Sequence, residues 1–287
     1  MLARFSELLA DAGARRGAVG GFTCYNLEQA LGVLEAADER DRGVVLLVSE
    51  KRFSAPGGRL LLSALVAAAK ESSASACVQL DHVKSIEPVR AAFALGAGAV
   101  MADGSKLTLE ENVAFVRAAV AAGAPHGGEV EAELGGIEGD EDVAAAVAAG
   151  ALTDPDEAST FVAQAGVACL AVSVGNVHGV YRESPTLDWE RLRAIRERVR
   201  CPLSLHGASG LPEGAVRKAM ALGITKVNAN TELRERYLRE TAARIASVRE
   251  GARLLELNLA QAEAVKDAVS AKLDALEIEN SSYRMPS

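Results

Sequence analysis

The stretch Cys201-Pro-Leu-Ser-Leu-His206-Gly-Ala-Ser-Gly210 predicts a short buried strand over 202–205 that ends in a histidine and opens into a loop of small residues. A histidine at the end of a strand presents an imidazole nitrogen to a metal from a rigid support. The loop leaves backbone N–H groups uncovered, and Pro212 suits the first turn of a helix, so a phosphate would fit at that helix N-terminus. A plain strand–helix turn, with a histidine that only caps a backbone group, fits this stretch equally well.

The same unit, an apolar run followed by a loop and a helical pattern, repeats along the chain. The strand-like runs cover 18–24, 44–49, 76–81, 99–103, 129–134, 169–175, 202–206 and 225–230. The helical patterns cover 27–41, 58–72, 84–97, 107–123, 155–166, 188–200, 212–222 and 231–248. This alternation predicts an α/β protein with the (β/α)8 architecture of a TIM barrel. An open doubly wound sheet is the alternative, but no Gly-x-Gly-x-x-Gly follows the first run.

Three segments fall outside the repeated unit. Residues 3–15 predict an extra N-terminal helix, and residues 251–279 predict an extra amphipathic C-terminal helix. The C-terminal helix would cover the barrel or pack on a partner subunit, and both remain open. The long acidic and glycine-containing connection at 135–153 is typical of a lid at the C-terminal face of a barrel. No linker composition interrupts the chain, so we expect a single domain over 1–287.

Composition limits the classes of partner. The formal net charge of −8 disfavours binding to nucleic acid or to an anionic membrane surface. No run approaches the roughly 20 apolar residues of a membrane helix, and residues 1–7 do not resemble a secretory signal. The four cysteines lie in or beside apolar runs without CxxC spacing, which predicts reduced thiols and a cytoplasmic protein.

Three of the four histidines follow predicted strands. His82, His178 and His206 come at or just after the third, sixth and seventh runs, whereas His126 lies in a turn and receives no role. In a parallel barrel the carboxyl ends of the strands surround one cavity, where active sites are built. Three imidazoles with an open fourth position are typical of a catalytic zinc site.

Carboxylates accompany these histidines. Asp81 precedes His82, Asp103 follows the fourth run, and Glu131 and Glu133 lie on the fifth. Because strand side chains alternate, Glu131 and Glu133 point the same way. If they face the lumen, Glu133 lies nearer the rim and would reach a metal or orient a ligand histidine. A solvated strand face is the alternative, but a parallel barrel strand has little such surface.

Several motifs together resemble those of the class II, zinc-dependent ketose-bisphosphate aldolases, in order and at the family's spacing from about residue 3 to 240. The likeness is greatest to the tagatose- and fructose-bisphosphate branch. The motifs are Leu80-Asp-His82, Asp103-Gly-Ser105, Glu110-Glu-Asn112, Val130-Glu-Ala-Glu-Leu-Gly135, Leu152-Thr-Asp-Pro155, Leu170-Ala-Val172, Gly175-x-x-His-Gly179, Leu205-His-Gly-Ala-Ser209 and Thr225-Lys-Val-Asn228.

The resemblance implies reversible cleavage of a ketose 1,6-bisphosphate into dihydroxyacetone phosphate and an aldehyde such as glyceraldehyde 3-phosphate. It implies Zn²⁺ bound by His82, His178 and His206, with Glu133 beside it, as Lewis acid for the enediolate of dihydroxyacetone phosphate. Asp81 would handle the proton of the C4 hydroxyl, and Glu141 would move a proton at the enediolate carbon.

The resemblance also implies a site for the substrate's phosphates and hydroxyls, a monovalent cation (Na⁺ or K⁺) near Gly179, and a homo-oligomer, either a dimer or a tetramer. The matching substrate positions are Ser49, Gly179, Gly207, Ala208, Ser209, Asn228, Asn230 and Thr231.

The sequence departs from the family pattern around the substrate. Thr23 stands where the family usually has asparagine, with Asn26 three residues on, and Lys106 stands where histidine is common. Asn230 replaces an aspartate or alanine, and residues 50–52 are Glu-Lys-Arg instead of small loop residues. The metal ligands are intact while the substrate pocket is altered. The same chemistry on a different phosphorylated ketose, and a non-catalytic zinc-binding paralogue, therefore stay open.

Overall fold

The computed structural model describes residues 1–137, 150–178 and 186–277. Eight parallel strands pair in chain order, and β8 closes on β1 to form a barrel. The strands are β1 (Val19–Thr23), β2 (Val44–Ser49), β3 (Ala76–Val83), β4 (Ala99–Ala102), β5 (Glu129–Leu134), β6 (Cys169–Val172), β7 (Leu203–Leu205) and β8 (Ile224–Ala229). The prediction of a TIM barrel is confirmed.

Helices connect consecutive strands on the outside of the barrel, and further helices precede the first strand and follow the last. Those described are α1 (Phe5–Ala14), α2 (Leu27–Glu39), α3 (Glu50–Ser54), α4 (Gly58–Glu71), α5 (Ile86–Ala94), α6 (Leu109–Gly123), α7 (Pro155–Ala165), α8 (Trp189–Arg198), α9 (Glu213–Ala221), α10 (Thr231–Glu250) and α11 (Leu254–Ala275). Sequence patterns predict all of them except α3. This short helix begins where the Ser49 hydroxyl accepts a hydrogen bond from the Arg52 backbone N–H, an N-cap that the sequence analysis missed.

Helix α1 closes the N-terminal mouth of the barrel. Its residues Phe5, Leu8 and Leu9 form a separate buried cluster with inward-pointing strand residues such as Val45 and Cys77. Apolar contacts therefore fill the lower lumen. The polar lumen residues of the same strands lie above this plug, towards the C-terminal rim.

Helix α11 packs against α2 and α10 of its own chain. Val265 and Val269 on its inner face are fully buried. The sequence left open whether the C-terminal helix packs on its own barrel or on a partner subunit. Its inner face packs on helices of its own chain. Within the described residues, no helix is both long enough and apolar enough to span a bilayer.

Candidate metal centre and active site

Three imidazoles converge at the C-terminal rim. His82, His178 and His206 offer ring nitrogens that all lie within 4.8 Å of one another, and His82 Nε2 lies 3.0 Å from His206 Nδ1. His82 has a φ of 53°, a left-handed conformation that is uncommon for a residue with a side chain. This backbone turn at the end of β3 accompanies the approach of its ring to the other two. His126, by contrast, is exposed in a 3₁₀ turn at Ala124–His126.

A buried carboxylate orients His206. Glu131 Oε1 lies 2.8 Å from His206 Nε2, and both side chains are fully buried. Because a carboxylate only accepts hydrogen bonds, Nε2 carries the proton and Nδ1 is left as the lone-pair donor. Burial lowers the pKa of His206 despite the opposing effect of Glu131, which favours the neutral ring that a metal needs. Glu131 therefore orients His206, a contact that the sequence did not predict, while Glu133 lies near a different histidine, His82.

Glu131 is itself held by Lys226 and Gln79. Lys226 Nζ and Gln79 Nε2 each lie 2.8 Å from Glu131 Oε2. Burial alone would raise the pKa of Glu131, but the Lys226 charge and the His206 hydrogen bond outweigh it and lower the pKa. The same charge pair raises the pKa of Lys226 against the effect of its burial. No sequence pattern predicted a role for Lys226 or Gln79, although both are polar residues at inward positions of predicted strands.

His82 has two further carboxylate neighbours. Its Nδ1 lies 3.3 Å from Asp103 Oδ2 and 3.8 Å from Glu133 Oε2. Burial raises the pKa of Glu133 to about 8, and the nearby Asp103 charge adds to this while His82 opposes it. Burial would also raise the pKa of Asp103, but hydrogen bonds from His82 and Ser105 lower it. Glu133 is 1% exposed, so it faces the lumen and not solvent.

These donors suit a divalent metal ion such as zinc. Tetrahedral zinc with nitrogens at about 2.0–2.1 Å needs ligand atoms roughly 3.3 Å apart, which the histidine nitrogens approach. The chemistry of the set also fits, since neutral imidazoles and carboxylates are the usual zinc ligands. His82, Asp103 and Glu133 form a second group of converging donors at the same place.

Asp81 lies at the end of β3 directly before His82, and it is fully buried. Asn228, on β8, places its Nδ2 at 3.4 Å from Asp81 Oδ2. The same amide nitrogen lies 3.4 Å from Nε2 and 3.5 Å from Nδ1 of His206. A potential proton acceptor and an amide donor thus lie together beside the histidine cluster.

The residues matched to phosphate binding meet where β7 and β8 end. The turn after β7 begins at Gly207, whose φ of 61° suits glycine, and a Cβ there would collide with the Val177 carbonyl oxygen. Ala208 and Ser209 follow, and Ser209 Oγ accepts a hydrogen bond from the Asn230 backbone N–H at 3.4 Å.

Helix α10 begins at Thr231, and no side-chain hydrogen bond caps it. Loops after the seventh and eighth strands and a helix N-terminus commonly bind phosphate in TIM barrels. Two further predicted site residues, Glu141 and Gly179, lie outside the described residues.

Thr23, at the position where the resemblance implies asparagine, is the last residue of β1. Thr23 is 1% exposed, and its Oγ1 has no hydrogen-bond partner among the described residues. Asn26 does not replace the missing amide, because its Oδ1 caps α2 at the Gln29 N–H and its Nδ2 donates to the Tyr237 hydroxyl at 2.9 Å.

Asn230 lies within hydrogen-bond distance of Tyr25 across the same rim, with Nδ2 3.0 Å from the Tyr25 hydroxyl. The remaining predicted substrate residue, Ser49, lies at the end of β2 and caps α3.

The fold is that of a TIM-barrel enzyme, and the donor cluster at its rim has the residue types that could hold a metal ion. The chain belongs to the class II fructose-bisphosphate aldolase family, whose profile, "Fructose-bisphosphate aldolase class-II", matches residues 3–281. It is therefore an aldolase, a lyase that cleaves or forms carbon–carbon bonds.

Two relatives show how the family varies. The chain is 34% identical over 223 residues to the Escherichia coli K12 protein named "Uncharacterized protein YdjI", covering 78% of this chain and 80% of the relative. It is 35% identical over 234 residues to the 6-phospho-5-dehydro-2-deoxy-D-gluconate aldolase of Halalkalibacterium halodurans, covering 80% and 81%.

Solved structures agree with the fold. The crystal structure of the YdjI aldolase from Escherichia coli K12 matches with a TM-score of 0.82 at 29% identity, covering 96% of this chain and 97% of that one. A Coccidioides immitis protein described as a candidate fructose-1,6-biphosphate aldolase matches with a TM-score of 0.87 at 30% identity, covering 95% and 96%.

Proposed function

We propose that the protein catalyses zinc-dependent, reversible aldol cleavage of a ketose 1,6-bisphosphate of the fructose or tagatose type. The products would be dihydroxyacetone phosphate and an aldehyde such as glyceraldehyde 3-phosphate. The observation that carries this proposal is the convergence of ring nitrogens from three histidines within 4.8 Å of one another, with the buried carboxylate of Asp81 directly before one of them in the chain.

His82, His178 and His206 would hold the zinc ion, and Glu133 would lie beside it. When bound, zinc supplies Lewis-acid stabilisation of the negative charge that develops on the dihydroxyacetone phosphate half. Glu131 keeps Nδ1 of His206 unprotonated, and Asp103 lies where it can accept from His82 Nδ1, so both histidines would offer their other nitrogen to the ion.

Asp81 would take the proton of the C4 hydroxyl during cleavage and return it during condensation. A general base must lie within hydrogen-bond reach of the proton that it moves, in a site where it stays oriented. The Asn228 amide lies 3.4 Å from the Asp81 carboxylate and so restrains it. Glu141 is proposed, from its family position alone, to move the proton at the carbon that becomes nucleophilic.

A phosphate of the substrate would bind at the turn after β7 and at the start of α10. Backbone N–H groups of such a turn and of an uncapped helix N-terminus are natural anion donors. The residues proposed to contact phosphate or substrate hydroxyls are Ser49, Gly179, Gly207, Ala208, Ser209, Asn228, Asn230 and Thr231. A monovalent cation near Gly179 is part of the same proposal.

A different phosphorylated ketose is the second candidate substrate. The rim at the ends of β1 and β8 carries Thr23 and Asn230, two positions where the sequence departs from the fructose and tagatose patterns, and Asn230 contacts the Tyr25 hydroxyl. Glu50 adds a half-buried carboxylate close enough to Asp103 and His82 to interact electrostatically with both. A relative at 35% identity is named for a deoxygluconate substrate, which supports keeping this candidate.

Three further properties complete the proposal. We infer a single domain over 1–287, a cytoplasmic homo-oligomer (dimer or tetramer), and no nucleic-acid or membrane partner. The formal net charge of −8 and the free cysteines support the location and the absence of such partners.

The deciding experiment measures release of dihydroxyacetone phosphate from fructose- and tagatose-1,6-bisphosphate side by side. Each sugar is tested with zinc, after EDTA, and after zinc is restored. Turnover that is lost with EDTA and returns with zinc would support the mechanism, and the ratio of rates would indicate the sugar. Protein that carries zinc but cleaves neither sugar would refute the bisphosphate assignment, and other aldehydes in the condensation direction would then test the second candidate.

A further inference from the structure

Lys226 lies on β8 inside the barrel, two residues before Asn228, and it is fully buried. A buried ammonium is costly unless its N–H groups are paired. The reaction proposed above assigns this lysine no task, although it lies directly beneath the catalytic rim.

The Lys226 ammonium group has a partner in each of three directions. Its Nζ lies 2.8 Å from Glu131 Oε2 and donates to Asn228 Oδ1 at 2.7 Å. It also lies 5.9 Å from the centroid of the Phe5 ring, on the apolar plug formed by α1. An ammonium carries three donors, and the two polar partners both belong to the rim above it.

The contact with Asn228 sets the direction of an amide. Because Nζ only donates hydrogen bonds, the Asn228 side chain must turn its oxygen towards Lys226. Its Nδ2 then points the opposite way, where Asp81 Oδ2 lies at 3.4 Å and the His206 ring at a similar distance. Asp81 favours the same orientation through its longer contact with Nδ2, and the 2.7 Å contact with Lys226 is the shorter of the two restraints.

The contact with Glu131 sets the tautomer of a metal ligand. Lys226 and Gln79 both occupy Oε2 of Glu131, which leaves Oε1 for His206 Nε2. With Oε2 occupied by these two donors, the free oxygen of Glu131 faces His206, and an acceptor at 2.8 Å holds the proton on Nε2. Nδ1 of His206 is thereby directed towards His82 and the proposed ion.

A glycine leaves the space in which these contacts form. A Cβ at Gly21, on the neighbouring strand β1, would collide with Asn228 Oδ1. The Lys226–Asn228 contact therefore depends on the absence of a side chain at this lumen position.

We propose that Lys226 is a positioning residue with two effects, which we call the His206 output and the Asn228 output. Through Glu131 it fixes the tautomer of His206, and through Asn228 it aims an amide N–H at the atoms that react beside Asp81. The second output rests on the proposed function, since a fixed donor stabilises charge only where charge develops. The first output concerns metal affinity and can be judged without any substrate.

The main test is Lys226→Met, which keeps a long buried side chain and removes the charge. We expect zinc affinity, measured by competition with a chelator, to fall roughly 10- to 100-fold, as it does when other partners of ligand histidines are lost. We also expect kcat, measured at saturating zinc, to fall while KM changes less, because the Asn228 amide is no longer aimed.

Lys226→Met leaves the Glu131 carboxylate buried without its counter-charge, and the variant could unfold for that reason alone. The double variant Glu131→Gln/Lys226→Met removes both charges, and the new amide oxygen can still accept from His206 Nε2. We expect this protein to fold, to recover zinc affinity to within about threefold of the wild type and to keep the low kcat.

Two single variants separate the outputs. Gly21→Ala displaces Asn228 from Lys226 without altering any charge, so it should lower kcat and leave zinc affinity unchanged. Ser204→Ala is the matched control, because Ser204 is equally buried on β7 and its Oγ has no hydrogen-bond partner among the described residues. Its zinc affinity and kcat should equal those of the wild type.

The proposal is overturned if folded Lys226→Met has both the zinc affinity and the kcat of the wild type. It is also overturned if the double variant has both. Recovery of kcat in the double variant would refute the Asn228 output. If the wild-type protein cleaves neither bisphosphate, exchange of a dihydroxyacetone phosphate hydrogen with deuterated solvent replaces kcat as the readout. Failure of that exchange in the wild type would refute the proposed function and the Asn228 output, while the zinc affinities would still decide the His206 output.

Discussion

Replacing Asp81 by asparagine tests the proposed proton transfer most directly. The side chain is fully buried at the end of β3, and asparagine keeps its shape while losing the ability to accept a proton. General acid–base catalysis contributes typically 10²–10⁴-fold, which corresponds to about 2.7–5.4 kcal/mol of transition-state stabilisation. We therefore expect Asp81→Asn to lower kcat/KM for the active ketose by about 10²–10⁴-fold.

The fold and the metal should survive this change. The contact with Asn228 Nδ2 at 3.4 Å becomes a neutral one, and replacing a charged by a neutral hydrogen bond costs about 1 kcal/mol of unfolding free energy. Zinc per chain should stay at the wild-type value, since Asp81 is not among the converging donors.

The assay is release of dihydroxyacetone phosphate with the zinc content measured on the same sample. The matched control is Asp103→Asn, which removes the carboxylate 3.3 Å from His82 Nδ1. That variant should weaken zinc binding and regain turnover when zinc is saturating. Zinc-loaded Asp81→Asn with turnover within about tenfold of the wild type would refute the assigned role of Asp81.

Thr23→Asn should raise kcat on fructose- or tagatose-1,6-bisphosphate by up to about 10²-fold, because it restores an amide donor at the end of β1 and Asn26 is engaged elsewhere. An unchanged kcat would mean that another donor already serves there. Burial raises the pKa of Cys24 and Cys77 to about 12 and that of Cys201 to about 11, so all three thiols stay protonated at neutral pH. Native protein should therefore react slowly with a thiolate-selective reagent and rapidly once denatured, whereas rapid labelling of the native form would contradict the raised thiol pKa values.

Much of the fold could be predicted from local patterns. The alternation of apolar runs and helical periods predicted the barrel, because eight strand–helix units are typical of a closed parallel (β/α)8 sheet. Strand period two correctly placed Glu131 and Glu133 on one inward side. The positions of His82, His178 and His206 after strands correctly predicted that their rings would meet.

Contacts between strands were beyond the sequence. Glu131 and Glu133 share one direction, so no pattern could tell which of them reaches His206 and which lies near His82. The pairing of β5 with its neighbours and the closure of β8 on β1 decided that, and they also brought Lys226 under the rim. The short helix α3 was missed because its Ser49 cap is also compatible with a loop.

The sequence by itself determined the barrel, its polar rim and the residue types that could bind a metal. Only the tertiary structure decided the stack from Phe5 through Lys226 and Glu131 to His206. The physical reason is that side-chain direction follows from local periodicity, whereas a hydrogen bond across a barrel depends on the register and closure of distant strands. The sequence alone gives no reason to single out Lys226. Its role follows only when the closed barrel places Glu131 beside it.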